Sequence, residues 1–248
     1  MRRVARGVAR AARDGVLAAL RHQGQVYVRL PFSAPRTCNI CGYAGTFDPF
    51  GLYYLRPDAI CRGCGSNERQ RLLARYLATA DWSAEGKAIL HFAAEPAITR
   101  LLAPKAARYV RADLFNPDAD VAWNIEGIDC GEAEFDAVMC SHVLEHVDTE
   151  RALGEIRRVL RPGGRAFLMV PINEGLDRTY LDPSVTSEAG RHLHFQQPDH
   201  VRIIGRDFRD QVRGAGFRLE EFAAGGAEAA RFGLVPGERV FVAHREAG

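Results

Sequence analysis

The sequence predicts an α/β fold in which a doubly wound parallel sheet follows a small cysteine-rich module. From Lys87 onward, short apolar segments alternate with segments of helical periodicity, which is typical of parallel βαβ units. Two C-x-x-C pairs precede these segments, at Cys38–Cys41 and Cys61–Cys64. A chain of 248 residues has room for one such domain and a small attachment.

The elements of the predicted domain follow one another at short intervals. Apolar runs predict six strands, in chain order at 88–93, 108–114, 135–141, 165–171, 217–224 and 239–245. Helices are predicted at 67–79, with Ser66 as the capping residue, and at 97–103, 149–160 and 206–217. The last two strands, separated by a glycine-rich segment, are expected to form a hairpin.

We predict three parts of the chain. Residues 1–35 form a basic amphipathic helix and a linker, because apolar residues recur at helical spacing through Val4, Val8 and Leu20. Residues 36–80 hold the cysteine pairs and the following helix, and residues 81–248 form the α/β domain. The N-terminal helix is expected to dock on the protein, and a membrane-surface or substrate-recruiting arm is the alternative.

Composition and charge favour a cytoplasmic protein. The net charge is +2, so no strong overall field attracts nucleic acid or a membrane surface. No apolar run approaches the length of a membrane span, and the basic N-terminus lacks the continuous apolar core of a secretory signal. The sequence leaves the oligomeric state open.

The four paired cysteines predict a structural zinc site. Two residues between paired thiols allow Cys38, Cys41, Cys61 and Cys64 to reach one tetrahedral ion. Small residues, Gly42 and Gly65, follow each pair, as a knuckle turn requires. A redox or incidental set of cysteines is the alternative, and Cys130 and Cys140 are expected to be buried and inert.

Residues after the second strand predict a nucleoside site. Asp113 ends that strand about twenty residues beyond the first strand-to-helix turn, where a carboxylate can accept both ribose hydroxyls. Asn124 lies in the next segment, where its amide can face an adenine edge beside the backbone N–H of Ile125.

The stretch SHVLEHVDTERALGEIRRVLRPGG, residues 141–164, resembles the core of class I S-adenosylmethionine (SAM) dependent methyltransferases of the small-molecule type. The resemblance covers about residues 87–244. It implies a seven-stranded sheet with one antiparallel strand, and SAM as the cofactor. It also implies that the strand ending at Cys140 and Ser141 lies beside the methionine part of SAM, with His142 at the border of the pocket.

Further segments resemble a narrower group of zinc-ribbon methyltransferases: CRGCGSNERQRLL, ILHFAAEP and RHLHFQQPDHVRIIGRDF. One segment departs from the family pattern. An acidic residue and a G-x-G-x-G motif usually follow the first strand, and this chain has Phe92, Ala93, Ala94, Glu95 and Pro96 there. Either this variant loop holds SAM, with Glu95 near its amino group, or SAM binding is weakened or lost.

Residues 172–204 are predicted to form a substrate lid, because the stretch is too long and polar for a simple connection. His194 and His200 are the candidate general bases, since a histidine can take a proton near neutral pH. Two alternatives are that these histidines pin the lid by hydrogen bonds, or that His192, His194 and His200 bind a second metal ion with Asp199.

The motif H-x-x-E-H at His142–His146 also occurs in a class of zinc peptidases, but it follows a strand directly here. We therefore expect His142 to border the cofactor pocket and His146 to cap or pack the next helix.

The sequence is consistent with three functions. The first is methyl transfer from SAM to an oxygen or nitrogen of a small molecule, such as a sugar-containing or other secondary metabolite. The second is methylation of RNA, with the zinc ribbon and nearby arginines as the binding surface; it is less favoured because no dense basic-aromatic stripe is present. The third is a non-catalytic binding protein with a degenerate first loop.

Overall fold

The computed structural model of the chain describes residues 34–50 and 56–247. The predicted N-terminal helix lies outside these residues. The chain divides into two compact units, Met1–Arg75 with Ala224–Pro236, and Tyr76–Ala223 with Gly237–Gly248. None of the helices in the described ranges has the length and apolar character needed to cross a bilayer.

The described residues form the following elements. The strands are β1 Arg36–Thr37, β2 Ala44–Gly45, β3 Asp48–Phe50, β4 Arg56–Ile60, β5 Ala88–Phe92, β6 Arg108–Ala112, β7 Phe135–Ser141, β8 Leu160–Met169, β9 Tyr180–Leu181, β10 Arg202–Ile203, β11 Arg218–Phe222 and β12 Val240–His244. The α-helices are α1 Glu68–Thr79, α2 Pro96–Leu102, α3 Thr149–Val159, α4 Glu188–Phe195, α5 Phe208–Gly214 and α6 Gly226–Phe232. A short 3₁₀-helix spans Leu144–His146.

The first unit consists of two small antiparallel ribbons and helical segments. β1 pairs with β2, β3 pairs with β4, and α6 packs against β1. The predicted helix at 67–79 is present as α1, but Ser66 does not cap it. Asn67 and Gln70 instead bond each other's backbone N–H groups through their side chains, which satisfies two donors at the helix start.

The second unit is built on a mixed sheet with the strand order β11-β12-β8-β7-β5-β6. β5 pairs in parallel with β6 and β7, and β7 pairs in parallel with β8. β12 runs antiparallel to both of its neighbours, β8 and β11. The predicted α/β sheet with one antiparallel strand is therefore confirmed. Helix α3 begins where predicted, and the Asp148 carboxylate caps it by accepting from two backbone N–H groups.

The prediction of seven strands is wrong for the described residues, which form six in this sheet. At the outer edge of β6, a single parallel bridge between Ala112 and Val121 occupies the place of a further strand. The chain cannot continue this pairing because it turns at once: Asn124 bridges Gly127, and its side chain accepts from the N–H of Glu126.

Two long connections contain structure that the sequence did not predict. The stretch 172–204 holds helix α4 and an antiparallel pair formed by β9 and β10. The glycine-rich connection between β11 and β12 contains helix α6.

Candidate functional site

The site is built at the point where the strand order of the sheet reverses. From β5, the chain proceeds to β6 on one side, whereas β7 and β8 lie on the other. Phe92 is in register with Ala112 of β6 and with Cys140 of β7. The residues that follow these three positions therefore leave the same edge of the sheet side by side. In doubly wound sheets, ligands bind in the crevice at such an edge.

Two loops at this edge hold residues in a conformation that favours glycine. Ala93, after β5, has φ +48°, and His142, after β7, has φ +55°. A backbone hydrogen bond fixes each loop, from Ala93 N to Ala112 O at 3.0 Å and from His142 N to Met169 O at 2.8 Å. A left-handed residue with a Cβ costs about 1–2 kcal/mol. The first turn thus keeps a glycine-like path although the G-x-G-x-G motif is missing.

Buried polar atoms without a hydrogen-bond partner collect around these loops. They include Glu95 Oε2, Ser141 Oγ and His91 Nε2, and the histidine and glutamate atoms lie 3.8 Å apart. The other ring nitrogen of His91 is 2.6 Å from the Tyr109 hydroxyl. A buried polar atom left unpaired costs about 1–3 kcal/mol. The free carboxylate oxygen suits a cationic group, such as the amino group of SAM, and the serine hydroxyl suits a polar partner.

The residues predicted to bind a nucleoside lie in two tight turns. Asp113 follows β6, and its Oδ1 accepts from the N–H groups of Phe115 and Asn116 at 2.8 and 3.0 Å. This bonding fixes the carboxylate at the sheet edge. Leu114 is about half exposed, whereas Ile125, next to the turn at Asn124, is buried. The structure brings Asp113 near Val121 through the bond from Asp113 N to Val121 O, 3.1 Å long.

The two unpaired cysteines are poor nucleophiles. Cys140 is fully buried, and burial raises the pKa of its thiol. Burial and the nearby Glu134 raise the pKa of Cys130 as well. Cys130 is only partly buried, so the expectation of burial is wrong for this residue. The raised pKa values agree with the expectation that both thiols are inert, because a thiol reacts as the thiolate.

A separate cluster in the first unit joins all four paired cysteines. Their sulfur atoms lie within 4.8 Å of one another; Cys38 Sγ is 3.7 Å from Cys64 Sγ, and Cys41 Sγ is 3.6 Å from Cys61 Sγ. A tetrahedral zinc ion with bonds of about 2.3 Å separates its sulfur ligands by about 3.8 Å. The spacing therefore fits one zinc ion.

The two cysteine pairs have the same local geometry. Gly42 N bonds to Cys38 O at 2.9 Å, and Gly65 N bonds to Cys61 O at 2.8 Å; both glycines have a positive φ near +75°. The Ser66 hydroxyl lies 3.5 Å from Cys38 Sγ. Burial alone would raise the pKa of Cys38, but this hydroxyl and backbone N–H groups lower it to about 7. Burial instead raises the pKa of Cys41 and raises that of Cys61 to about 12, so zinc binding would displace protons from these two thiols.

The two candidate general bases occupy different surroundings in the lid. His194, on α4, has Nδ1 2.7 Å from the Tyr180 hydroxyl. His200 is buried, burial lowers its pKa, and its ring meets that of His146 edge to face with the centroids 4.8 Å apart. Within the described ranges, His192, His194, His200 and Asp199 do not form a metal-type cluster. The sequence-based alternative of a second metal ion on that set is therefore wrong.

His200 instead meets two residues of the H-x-x-E-H motif. Ligand atoms of Glu145, His146 and His200 lie within 4.8 Å of one another. Glu145 and His146 belong to the short 3₁₀-helix after β7, so His146 does not cap α3. The spacing of the H-x-x-E-H motif could have indicated Glu145 and His146 as ligands. His200 lies in the lid, 54 or more residues later in the chain, so only the fold shows that it joins them.

Two sequence comparisons show what this chain is similar to. Residues 61–168 match the family model described as a methyltransferase domain. An uncharacterised 37.1 kDa protein in transposon TN4556 of Streptomyces fradiae is 36% identical over 91 residues, which are 36% of this chain and 26% of that protein. The match thus spans about a quarter of the relative's length.

Solved structures share the fold at low sequence identity. The YcgJ protein of Bacillus subtilis superposes with a TM-score of 0.50 at 15% identity, covering 71% of this chain and 98% of that one. A SAM-dependent methyltransferase from Mesorhizobium loti gives 0.50 at 16%, covering 69% and 97%. A structure of the Haloferax volcanii Trm112 methyltransferase activator with a putative methyltransferase gives 0.52 at 16%, covering 73% and 91%. The second unit therefore shares its fold with these proteins, and residues 61–168 match a methyltransferase domain model.

Proposed function

We propose that the protein transfers a methyl group from SAM to an oxygen or nitrogen of a small molecule. The observation that carries this proposal is the group of buried, unpartnered polar atoms, including Glu95 Oε2 and Ser141 Oγ, at the switch point of a methyltransferase domain. A buried polar atom without a hydrogen-bond partner lowers the stability of the fold, and a polar ligand that binds beside it supplies the missing partner.

The residues at the sheet edge suit the parts of SAM in turn. Asp113 would accept hydrogen bonds from the ribose hydroxyls, and Asn124 with the Ile125 N–H would face the adenine.

Glu95 would pair with the amino group of SAM, while Phe92, Ala93 and Ala94 shape the loop around it. Leu114 would cover the sugar, and the Cys140 carbonyl, Ser141 and His142 would border the methionine part. SAM supplies the activated methyl group, and the chain's task is to align the acceptor with it.

The lid is the proposed acceptor site. His194 and His200 are the proposed general bases, since either can remove the acceptor's proton near neutral pH. The lowered pKa of His200 keeps its imidazole neutral at pH 7, and the Tyr180 hydroxyl orients the ring of His194. A sugar-containing or other secondary metabolite is the proposed kind of acceptor.

The cysteine cluster is proposed to bind structural zinc. The four sulfurs in two matching turns support a closed Cys₄ site, which leaves no position for a substrate.

The first test is titration calorimetry of the zinc-loaded chain with SAM and S-adenosylhomocysteine. We expect micromolar binding, about −8 kcal/mol. Folded protein that binds neither compound would favour the non-catalytic alternative. Transfer of a labelled methyl group to small hydroxylated or amine compounds would support the proposal. Labelling of RNA, with binding that falls steeply as salt rises, would favour the RNA alternative.

A further inference from the structure

We propose that Glu145, His146 and His200 bind a divalent transition-metal ion, and that this ion holds a hydroxyl oxygen of the acceptor. The metal site stands on the geometry of these three residues alone. Its role toward the acceptor rests on the proposed function. The site is separate from the four-cysteine cluster, which lies in the other unit.

Glu145 offers a carboxylate oxygen that the protein leaves unused. The side chain is 1% exposed, and Oε1 faces His142 Nδ1 at 3.1 Å. Oε2 is buried and has no hydrogen-bond partner. A buried carboxylate usually has hydrogen-bond or ionic partners for its oxygens, or it becomes protonated. A buried carboxylate with an unpaired oxygen is prepared to bind a cation.

One ring nitrogen of His146 is held by a backbone carbonyl of the lid. His146 Nδ1 lies 3.0 Å from the carbonyl oxygen of Asp199, and the same nitrogen is 3.7 Å from that residue's carboxylate. In metal sites, a ligating histidine typically donates its second N–H to a carbonyl or carboxylate in this way. One ring nitrogen of each histidine lies within 4.8 Å of a carboxylate oxygen of Glu145.

The spacing is compatible with one ion. The three ligand atoms lie within 4.8 Å of one another, and bonds of about 2.0–2.2 Å would bring them to about 3–3.5 Å. Rotation of these side chains would bring the ligand atoms to the distances that one ion requires. The backbone on which they stand is linked by a hydrogen bond from Val201 N to Glu145 O, 3.2 Å long. Two imidazoles and one carboxylate favour a first-row transition metal over magnesium or calcium.

Three protein ligands leave coordination positions open, as in sites where a metal contacts substrate. Glu145 lies four residues after Ser141, at the edge where SAM is proposed to bind, and His200 comes from the lid. An ion here would lower the pKa of a bound hydroxyl and fix its oxygen. That oxygen forms the new bond to the methyl carbon, the sulfur keeps the electron pair of the broken bond, and the hydroxyl proton passes to a general base. His200 then acts as a ligand, which leaves His194 as the candidate base.

The test is a Co²⁺ titration of the zinc-loaded full chain, followed by visible absorption. We expect one additional ion with weak d–d bands and without the thiolate charge-transfer bands of cysteine ligation. Glu145→Gln and His200→Ala should each weaken Co²⁺ binding at least tenfold, with zinc content and circular dichroism unchanged. His192→Ala, on the exposed side of α4, is the matched control and should bind Co²⁺ within about twofold of wild type.

Absence of an additional Co²⁺ ion, or equal affinity in all variants, would overturn the proposal. Should either buried-residue variant fail to fold, His146→Ala gives the same test at a partly exposed position. Titration of the same samples with S-adenosylhomocysteine separates the two proposals. Binding of S-adenosylhomocysteine without Co²⁺ overturns only the metal site, and binding of Co²⁺ without S-adenosylhomocysteine overturns the proposed function and the ion's role in it.

Discussion

At the scale of single residues, Asp113 combines a structural role in its turn with a proposed role in binding ribose, and a test must distinguish the two. Its Oδ1 accepts two backbone N–H groups of the turn, and its charge is proposed to bind the ribose. An asparagine keeps a carbonyl oxygen for the turn but removes the charge. Asp113 is therefore better tested by Asp113→Asn than by truncation to alanine.

We expect Asp113→Asn to weaken S-adenosylhomocysteine binding about 10–100-fold, since a hydrogen bond to a charged group is worth about 1.5–3 kcal/mol. Calorimetry of the two proteins measures the change. Asp118→Asn, in the same exposed loop, is the control and should leave affinity unchanged. An unaltered affinity in Asp113→Asn would refute the ribose assignment.

The left-handed conformation of Ala93 leads to a second prediction, which concerns stability. Because its φ is +48°, Ala93→Gly should relieve strain and raise the free energy of unfolding by about 0.5–1 kcal/mol. Ala94→Gly, at a position without positive φ, should lower it by a similar amount. Urea denaturation of both zinc-loaded variants compares them. Destabilisation of Ala93→Gly as large as that of Ala94→Gly would contradict the left-handed turn.

At the scale of elements, Asp136 in β7 links the starts of the two strands that flank β7. Its Oδ2 accepts from the N–H of Ala88 in β5 at 2.7 Å and from Arg161 in β8 at 2.8 Å. Burial raises the pKa of Asp136, but these two donors outweigh it, so the pKa lies below its ordinary value. The stability that this carboxylate contributes is present above its unfolded pKa of about 4, and it is lost as pH falls through the folded pKa.

We therefore expect Asp136→Asn to lower the free energy of unfolding by about 1–2 kcal/mol at pH 7. The difference from wild type should shrink between about pH 5 and pH 3. Urea denaturation of metal-free samples at each pH measures it without interference from zinc loss. The exposed Asp129→Asn serves as the control, with a change below about 0.5 kcal/mol. A gap that stays constant with pH would show that the carboxylate's charge is not involved.

Strands and helices with strong periodicity were predictable from the sequence, and those defined by tertiary pairing were not. Segments such as 135–141 and 149–160 correspond to β7 and α3 within a few residues. The two-residue strands β9 and β10 exist only because they pair with each other across the lid. Likewise, the seventh strand was expected from resemblance, but the turn at Asn124 interrupts it.

In the candidate sites, too, local features were predictable from the sequence and tertiary ones were not. Cysteine spacing predicted the sulfur cluster, because the two turns are local. The trio of Glu145, His146 and His200 depends on how the lid returns to the sheet, which no local pattern encodes. The role of each cofactor-site residue from Phe92 to His142 stays a prediction that binding measurements can check.

At the scale of the whole molecule, the four-cysteine cluster lies in a unit with a small apolar core around Cys38, Phe47 and Cys61. Such a small core is rarely sufficient by itself, so the proposed zinc ion is expected to supply much of the unit's stability. Buried Arg71 completes this unit by donating to the carbonyl oxygens of Ala59 and Ser66 within the knuckle region, and to those of Phe232 and Gly233.

We predict that wild-type protein contains about one zinc ion per chain, and that Cys61→Ser lowers both zinc content and melting temperature. Elemental analysis and thermal denaturation measure the two quantities. Cys130→Ser, outside the cluster, should keep full zinc content. Full zinc occupancy in Cys61→Ser would contradict the Cys₄ assignment.

The position of residues 224–236 in the first unit has a consequence for biosynthesis. Arg71 and its acceptor Phe232 are 161 positions apart in the chain. At about 5–20 residues per second, the ribosome needs roughly 8–30 s to make the intervening stretch. During this interval the cysteine module has left the exit tunnel, but the guanidinium of Arg71 still lacks two of its four carbonyls. A nascent chain released before residue 224 would therefore carry a module in which Arg71 lacks these two hydrogen-bond acceptors.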